Sequence, residues 1–250
     1  MIVTIDGPAG VGKSTVAKLL AKALGLMYLD TGATYRTLAY AALRQRINPI
    51  TDVKRLAELA RRLPLELRPT PAGGLVVLLN DRDVTKAIRT EEVSEAAAQV
   101  SQHPAIRAAM VQLQRELANR HGVVAEGRDT GSVVFPQAPI KFFLDADTRV
   151  RAKRRQIELA ELYGTRPPIV QVQEQLHFRD GLDRHRRVGP LMKPTGATVI
   201  DTSRFTAQQV VRAMLHHIQQ RFRHRSGFAT HARPYRRTRP RIASRSSSSG

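Results

Sequence analysis

A phosphate-binding pattern, G-x-x-x-x-G-K-[ST], occupies residues 7–14 of this 250-residue chain. Its glycines allow the backbone to wrap closely around a polyphosphate, and its N–H groups present partial positive charge to the anion. In such a loop the ammonium of Lys13 reaches the β- and γ-phosphates of a nucleotide, and the hydroxyl of Ser14 ligates Mg²⁺. The predicted ATP contacts are Gly7, Pro8, Ala9, Gly10, Val11, Gly12, Lys13, Ser14 and Thr15, with Ser14 as the Mg²⁺ ligand.

The residues on either side of this loop supply the context that the pattern requires. Residues 2–5 are an apolar run typical of a buried strand, and apolar residues at helical spacing from Val16 to Leu24 indicate a helix. Gly25 stands where the C-terminal cap of that helix is expected. A glycine-rich turn that fits the pattern by chance is the alternative. The order strand, loop, helix favours a nucleotide site over it.

The positive charge of the chain is unevenly distributed. The formal net charge is +20, and nine arginines with no acidic residue lie between Arg221 and Gly250. This end of the chain also has few apolar residues and cannot bury a core. We therefore predict that residues 223–250 form a disordered basic tail, which could contact the phosphate backbone of a nucleic acid weakly.

Composition disfavours several classes of protein. The chain has no cysteine, which excludes disulfides and thiolate chemistry. No apolar run approaches the roughly 18 residues of a membrane span, and the chain begins directly with a strand rather than a signal peptide. We expect a cytoplasmic protein that has no membrane partner and acts as a monomer.

Apolar strands alternate with helices over most of the chain. This alternation predicts an α/β fold with a parallel sheet of the P-loop NTPase type, flanked by helices. Further strands are predicted at residues 27–30, 123–125, 140–144 and 197–201. The carboxyl ends of parallel strands meet at one edge of the sheet, where phosphate ligands bind. Because Thr31, Arg128 and Asp129 each follow a strand, we expect them to share a cleft with the phosphate loop.

One stretch departs from this alternation. Residues 64–88 contain short strands separated by turn residues, and helices near 91–102 and 105–120 follow them. We interpret residues 64–120 as an inserted module that contains a small antiparallel sheet. The strand–helix alternation then resumes, with helices predicted near 148–163 and 169–184.

A phosphate loop by itself leaves ATPases, GTPases and kinases of small substrates open. A GTPase requires the guanine-reading pattern N-K-x-D, which this sequence lacks. A motor ATPase would use an acidic residue after a strand to polarise water, a role that Asp145 could fill. The other polar positions favour a kinase with a second anionic substrate.

Six blocks of sequence narrow the choice further. They begin at Asp6, Leu29, Ile88, Glu126, Phe143 and Arg179, and the fourth reads Glu-Gly-Arg-Asp-Thr-Gly-Ser-Val-Val-Phe-Pro. In this order they resemble the bacterial cytidylate kinases, the (d)CMP kinases of the nucleoside monophosphate kinase group of P-loop kinases. The resemblance runs from residue 1 to about 220. It implies phosphoryl transfer from ATP to CMP or dCMP in pyrimidine nucleotide metabolism.

The resemblance also implies a domain layout. Residues 1–222 would form the kinase domain, and residues 64–120 would be its module for binding the nucleoside monophosphate (NMP). Residues 148–187 would form a helical lid that closes over ATP. Residues 223–250 have no counterpart in the family pattern.

Site roles follow from the same resemblance. Lys13, Arg36 and Arg128 would be catalytic, because they meet the phosphates between which the phosphoryl group moves. The implied substrate contacts are Thr31 and Arg36 at the monophosphate, Arg128 as a second arginine on it, Arg107 and Asp129 near the cytosine, Arg179 and Asp183 at the sugar hydroxyls, and Arg186 in the lid together with the basic residues of 151–155.

Some features leave alternatives open. Ala98 stands where the family often has a serine near the cytosine, so preference among CMP, dCMP and UMP is not assigned. Arg179 and Asp183 are four residues apart on a predicted helix, a spacing that also fits a surface ion pair. The alternative functions are a P-loop kinase for another small acceptor, such as shikimate or a different nucleotide, and an RNA- or ribosome-associated P-loop protein.

Overall fold

The computed structural model describes residues 1–70, 73–119 and 122–223. In chain order its elements are β1 (Ile2–Asp6), α1 (Lys13–Leu24), β2 (Met27–Asp30), α2 (Thr31–Arg44), α3 (Val53–Arg61), β3 (Leu65–Pro69), β4 (Leu75–Leu79), β5 (Arg82–Asp83), α4 (Glu91–Val100), α5 (Pro104–Ala118), β6 (Val123–Gly127), β7 (Ile140–Asp145), α6 (Thr148–Tyr163), α7 (Ile169–Arg184), β8 (Thr198–Asp201) and α8 (Ala207–Arg223). A 3₁₀ turn (Ala87–Arg89) precedes α4, and a π-helical turn (Thr130–Val134) follows β6.

The central sheet is parallel, and its strand order is β2-β6-β1-β7-β8. Helices cover both faces, so alternate residues of a strand enter different cores. In β6, Val123 and Ala125 pack with α2 to α5, whereas Val124 packs with α1 and α8. A strand buried on both faces reads as a continuous apolar run, which is why the sequence signalled these strands clearly. The predicted α/β fold of the P-loop NTPase type is confirmed.

A second, antiparallel sheet of β3, β4 and β5 lies in the segment predicted to be inserted. Its last strand is short and pairs only at Arg82 and Asp83, opposite Leu79 and Leu78. The ladder changes at Val77, whose N–H donates to the hydroxyl oxygen of Thr85 at 2.9 Å instead of to a backbone carbonyl. A side chain thus replaces the backbone partner that would have extended the strand.

The inserted segment shares its hydrophobic core with the helices that precede it. Leu38 of α2 and Leu56 of α3 belong to the same cluster as Ile88, Ile106 and Met110, and all five are fully buried. The expected boundary at residue 64 falls inside this continuous core. The division of the chain into kinase domain, module and lid stays a prediction.

Polar side chains cap two helices that begin near the carboxyl edge of the parallel sheet. The carboxylate of Asp30 accepts the N–H of Ala33 at 2.8 Å, so α2 begins immediately after β2 with no intervening loop. At the start of α8, the N–H of Gln209 donates to the hydroxyl of Thr206 at 3.3 Å, and the N–H of Thr206 donates to the Gln209 side chain at 2.8 Å. This reciprocal cap fixes the last helix beside the cleft.

Helix α8 ends the described chain at Arg223. Except for that residue, the basic tail predicted for residues 223–250 lies outside the described residues. Within the described ranges, no helix is long and apolar enough to cross a membrane.

Asp6, the last residue of β1, joins the central strand to the turn after β6. Its fully buried carboxylate accepts the N–H and the hydroxyl of Thr130 and the N–H of Gly131, each at 2.7 Å. Burial raises the pKa of Asp6 to about 6, although the hydrogen bonds from Thr130 and Gly131 oppose the shift.

This raised pKa makes stability depend on pH. Between about pH 4 and pH 6 the folded chain keeps a proton on Asp6 that the unfolded chain has released. The contribution of protonated Asp6 to the free energy of unfolding is therefore complete below about pH 4 and is lost as the pH rises through about 6. We expect the free energy of unfolding in urea to fall, relative to Asp6→Asn, by at most about 3 kcal/mol over this range. A constant difference between the two proteins from pH 4 to 7 would contradict the assignment.

Candidate nucleotide site

A cleft of about 650 Å³ opens at the carboxyl edge of the parallel sheet. Its walls come from the phosphate loop, α2, the end of β6, α6, α7 and the segment between β8 and α8. These elements are far apart in the chain, and the sheet brings them together because its parallel strands end at one edge.

Lys13 lies at the base of this cleft, and only 6% of its surface is exposed. Its ammonium donates to the carbonyl oxygen of Pro8 at 2.7 Å, and within the described ranges it forms no ion pair. Burial, together with the positive charge of Arg128, lowers the pKa of Lys13 to about 7. The negative charge of an anion in the cleft would favour the charged form of Lys13 and so offset both effects.

Glu126 is the acidic residue beside Ser14. The Ser14 hydroxyl donates to Oε1 of Glu126 at 2.6 Å, and the Tyr28 hydroxyl donates to the same oxygen at 3.2 Å. Asp145, which the sequence offered as an acidic residue after a strand, is exposed and accepts the N–H of Ala146. The acidic residue next to the phosphate loop, which a motor ATPase would require, is therefore Glu126 and not Asp145.

Two cleft arginines are held by carboxylates from other positions. A guanidinium nitrogen of Arg36 lies 2.8 Å from Asp30, and Nε of Arg128 lies 2.7 Å from Oδ2 of Asp183. Burial alone would raise the pKa of Asp183, but Arg128, Arg186 and Arg179 together hold that pKa below its usual value. Asp183 is thus ionised, and it is the common counter-charge of the cations around it.

Arg179 differs from these arginines, because it forms no ion pair within 4.0 Å in the described part of the chain. It lines the cleft, and burial together with the nearby charge of Arg128 lowers its pKa to about 10. Asp183 is buried, and its Oδ2 accepts a hydrogen bond from Nε of Arg128. Its Oδ1 lies 3.5 Å from Nη1 of Arg186. The two helical neighbours Arg179 and Asp183 are therefore not a surface ion pair.

Arg107 and Asp129 form an ion pair at one end of the cleft. Arg107 is 1% exposed and does not line the cleft, whereas Asp129 does. The ring of Tyr35 lies with its centroid 5.5 Å from the Arg107 guanidinium carbon. Gly189 closes over the pair with φ of 62°, and a Cβ at this position would collide with the carboxylate of Asp129.

The structure brings most of the predicted site residues into one cleft. Those that line it are Ala9, Gly10, Val11, Gly12, Lys13, Ser14, Thr15, Thr31, Arg36, Arg128, Asp129, Arg179, Asp183 and Arg186, together with Ala98. Gly7, Pro8 and Arg107 lie behind the surface. Of the basic residues predicted in the lid, Arg154 and Arg155 line the cleft, whereas Arg151 is buried against the loop.

A family model described as cytidylate kinase matches residues 3–220. The chain belongs to the cytidylate kinase family. A curated relative from Anoxybacillus flavithermus, named cytidylate kinase, is 43% identical over 88% of this chain and 96% of its own length. Another from Salmonella typhimurium, with the same name, is 41% identical over 88% of this chain and 96% of its own. Cytidylate kinase 1 of Haemophilus influenzae is 42% identical over 88% of this chain and 94% of its own length.

Likeness to solved structures is looser. A shikimate kinase from Bacteroides thetaiotaomicron covers 89% of this chain and 98% of its own at 13% identity, with a TM-score of 0.43. A score this low decides nothing about the chain. Membership in the cytidylate kinase family therefore rests on sequence, and it confirms the resemblance drawn from the six blocks.

Two residues that contact the phosphate loop, Glu126 and Asp180, have no role predicted from the sequence. Glu126 lay within a quoted block, but its contact with Ser14 depends on β6 lying beside β1. Asp180 accepts the N–H of Ala9 from a position 171 residues away. Neither contact leaves a local pattern in the sequence.

The closure of Gly189 over the buried ion pair predicts a stability effect. Gly189→Ala adds a left-handed backbone cost and a collision with Asp129, so we expect a loss of roughly 2–4 kcal/mol in urea unfolding. The control is Gly196→Ala, where φ is 75° and nothing lies within 4 Å of the added Cβ. That variant should lose only about 1 kcal/mol. Equal losses in the two variants would contradict the packing described.

Proposed function

We propose that this chain transfers the γ-phosphoryl group of ATP to CMP or dCMP, forming ADP and CDP or dCDP, in pyrimidine nucleotide metabolism. Membership in the cytidylate kinase family supports the reaction. The observation that carries it is a single cleft lined by a phosphate loop and by a second group of basic residues from other elements, Arg36, Arg128 and Arg179. A simple ATPase has no need of that second group.

The acceptor phosphate would bind among Arg36, Arg128 and Arg179, near Thr31. Arg36 and Arg128 would exchange their carboxylate partners for phosphate oxygens, and Arg179 would supply charge that no ion pair within the described residues uses. A phosphomonoester has a second pKa near ~6, so it is mostly a dianion at pH 7. The attacking oxygen therefore needs no general base.

Cytosine would be read at the Arg107–Asp129 end of the cleft. Asp129 presents its carboxylate to the cleft, and the buried Arg107 holds it in place. Ala97, Ala98 and Ser101 line the same end, but the hydroxyl of Ser101 donates to the carbonyl of Ala98 at 2.8 Å. Without a free hydroxyl at residue 98, discrimination between CMP and UMP would rest mainly on the ion pair.

The donor phosphates would lie on the loop, with Lys13 against the β- and γ-phosphates. The residues at this point suit Mg²⁺: Ser14 is exposed to the cleft, and its proton is directed to Glu126, which leaves oxygen lone pairs for a hard cation. When bound with ATP, Mg²⁺ would neutralise phosphate charge. Ser14 would hold it directly and Glu126 would orient Ser14.

Catalysis in this proposal is the neutralisation of charge between two polyanions held in line. Lys13, Arg36 and Arg128 line the same cleft, and Lys13 lies close enough to Arg128 for their charges to interact. In this proposal they stabilise the charge of a loose transition state. Asp183 and Arg179 would also bind the sugar hydroxyls. Arg186 and the residues of α6 and α7 would exclude water, which prevents loss of ATP to hydrolysis.

We also propose that the protein acts as a monomer and that it is located in the cytoplasm. The weak nucleic-acid contact of residues 223–250 stays a prediction, because this segment lies outside the described residues except for Arg223. Deleting residues 224–250 should leave phosphoryl transfer intact and remove any salt-sensitive binding of RNA.

A panel of acceptors tests the reaction. With ATP as donor, we expect CMP and dCMP to be phosphorylated with the highest kcat/KM, UMP to be weaker, and shikimate and AMP to be inert. Product formation is followed by chromatography of the nucleoside diphosphates. A preference for any acceptor other than a cytosine nucleotide would overturn the assignment.

Arg128→Ala tests the acceptor site. Losing a guanidinium on the transferring phosphate should lower kcat by roughly 10³-fold or more, because the charge is needed in the transition state. Arg212→Ala, which removes an exposed arginine from α8, is the matched control and should leave kcat unchanged. Near-normal turnover in Arg128→Ala, with circular dichroism showing a folded protein, would refute the placement of the phosphate.

A further inference from the structure

The outer turn of the phosphate loop, Ala9 and Gly10, is held from outside by the helices α6 and α7. The N–H of Ala9 donates to Oδ1 of Asp180 at 3.1 Å. The carbonyl oxygen of Ala9 accepts from Nη1 of Arg151 at 3.2 Å. Both backbone polar groups of Ala9 are therefore occupied by side chains of the segment predicted to be the lid.

The two side chains that hold Ala9 also hold each other. Nη1 of Arg151 lies 2.5 Å from Oδ2 of Asp180, and the two residues are 7% and 2% exposed. The pair joins α6 to α7 directly beneath the loop. Removing one member would leave a buried charge without a partner, which is strongly destabilising.

Apolar packing reinforces the polar contacts. The methyl group of Ala9 belongs to a small cluster with Ala152 and Leu159 of α6 and Val172 and Leu176 of α7. The backbone of α6 approaches Gly10 so closely that a Cβ there would lie 2.9 Å from the carbonyl oxygen of Arg151, and φ of Gly10 is 78°. The helices α6 and α7 thus pack directly against Ala9 and Gly10 of the loop.

Neighbouring carbonyls of the loop also accept hydrogen bonds from side chains. The carbonyl of Pro8 accepts from the ammonium of Lys13 at 2.7 Å, and that of Val11 accepts from the hydroxyl of Thr202 at 3.0 Å. With Ala9 held by Arg151, the carbonyl oxygens of Pro8, Ala9 and Val11 each accept a hydrogen bond from a side chain. These hydrogen bonds fix the orientation of the peptide planes of the loop.

We propose that Arg151 and Asp180 are positioning residues for the ATP site. Together they fix the outer turn of the loop in the shape that binds the donor phosphates, so the seating of α6 and α7 and the shape of the loop depend on each other. Neither side chain touches the transferring phosphate. The inference rests on the proposed function only in taking ATP as the donor.

The decisive variant is Arg151→Met with Asp180→Leu. Replacing a buried ion pair by apolar side chains of similar size is often neutral or stabilising, so this double variant should fold. It removes both partners of Ala9 while leaving no uncompensated charge. Its control is Arg149→Met with Glu174→Leu, which removes the same two charges from exposed positions on the same helices.

We expect the double variant to bind ATP about tenfold more weakly in calorimetry without an acceptor, because a displaced loop no longer matches the phosphates. In steady-state kinetics KM for ATP should rise about tenfold, while KM for CMP stays within twofold of wild type. Thermal unfolding should remain cooperative. Arg151→Lys, which keeps the charge but loses the guanidinium that bridges Asp180 and Ala9, should raise KM for ATP about threefold.

Wild-type affinity for ATP in the folded double variant would overturn the proposal, since the pair would then serve stability alone. Equal rises in both KM values would also overturn it, because a general loosening of the cleft would explain them. Failure of the wild-type protein to form CDP would instead refute the proposed function. The ATP affinities measured by calorimetry would still decide the role of Arg151 and Asp180 in that case.

Discussion

The structure depends on burying several guanidinium groups at one edge of a sheet, each beside a carboxylate. A buried cation without a partner costs several kcal/mol, so the carboxylates are required before any anionic ligand binds. The pairs are Arg36–Asp30, Arg107–Asp129, Arg128–Asp183 and Arg151–Asp180. The cleft can therefore concentrate positive charge and still be stable when empty of phosphate.

Exposure divides these pairs into two kinds. The side chains of Arg36 and Arg128 are each 17% exposed, so a phosphate entering the cleft can reach them and compete for their carboxylate partners. Those of Arg107 and Arg151 are 1% and 8% exposed and are committed to the protein. The first kind suits exchange with a ligand, and the second suits holding other groups in place. Residue type alone does not separate them, because all four are arginines.

Local patterns were sufficient for the sheet, the helices and the phosphate loop. Strands such as β6 are buried on both faces and read as apolar runs, and the loop has a fixed spacing. Side-chain roles at long range were not accessible in this way. Arg107 was expected near a base and lies behind Asp129, and Asp180 meets Ala9 from 171 residues away. Such contacts follow from strand order and helix packing, which no short stretch of sequence encodes.

In the proposed reaction, Arg36, Arg128 and Arg179 supply most of the affinity for the acceptor by binding its phosphate. Calorimetric titration of the wild-type protein with CMP and with cytidine measures this directly, because the two ligands differ only in that phosphate. We expect CMP to bind at least about 100-fold more tightly than cytidine, a difference of about 2.7 kcal/mol in binding free energy. Equal affinities for the two ligands would contradict it.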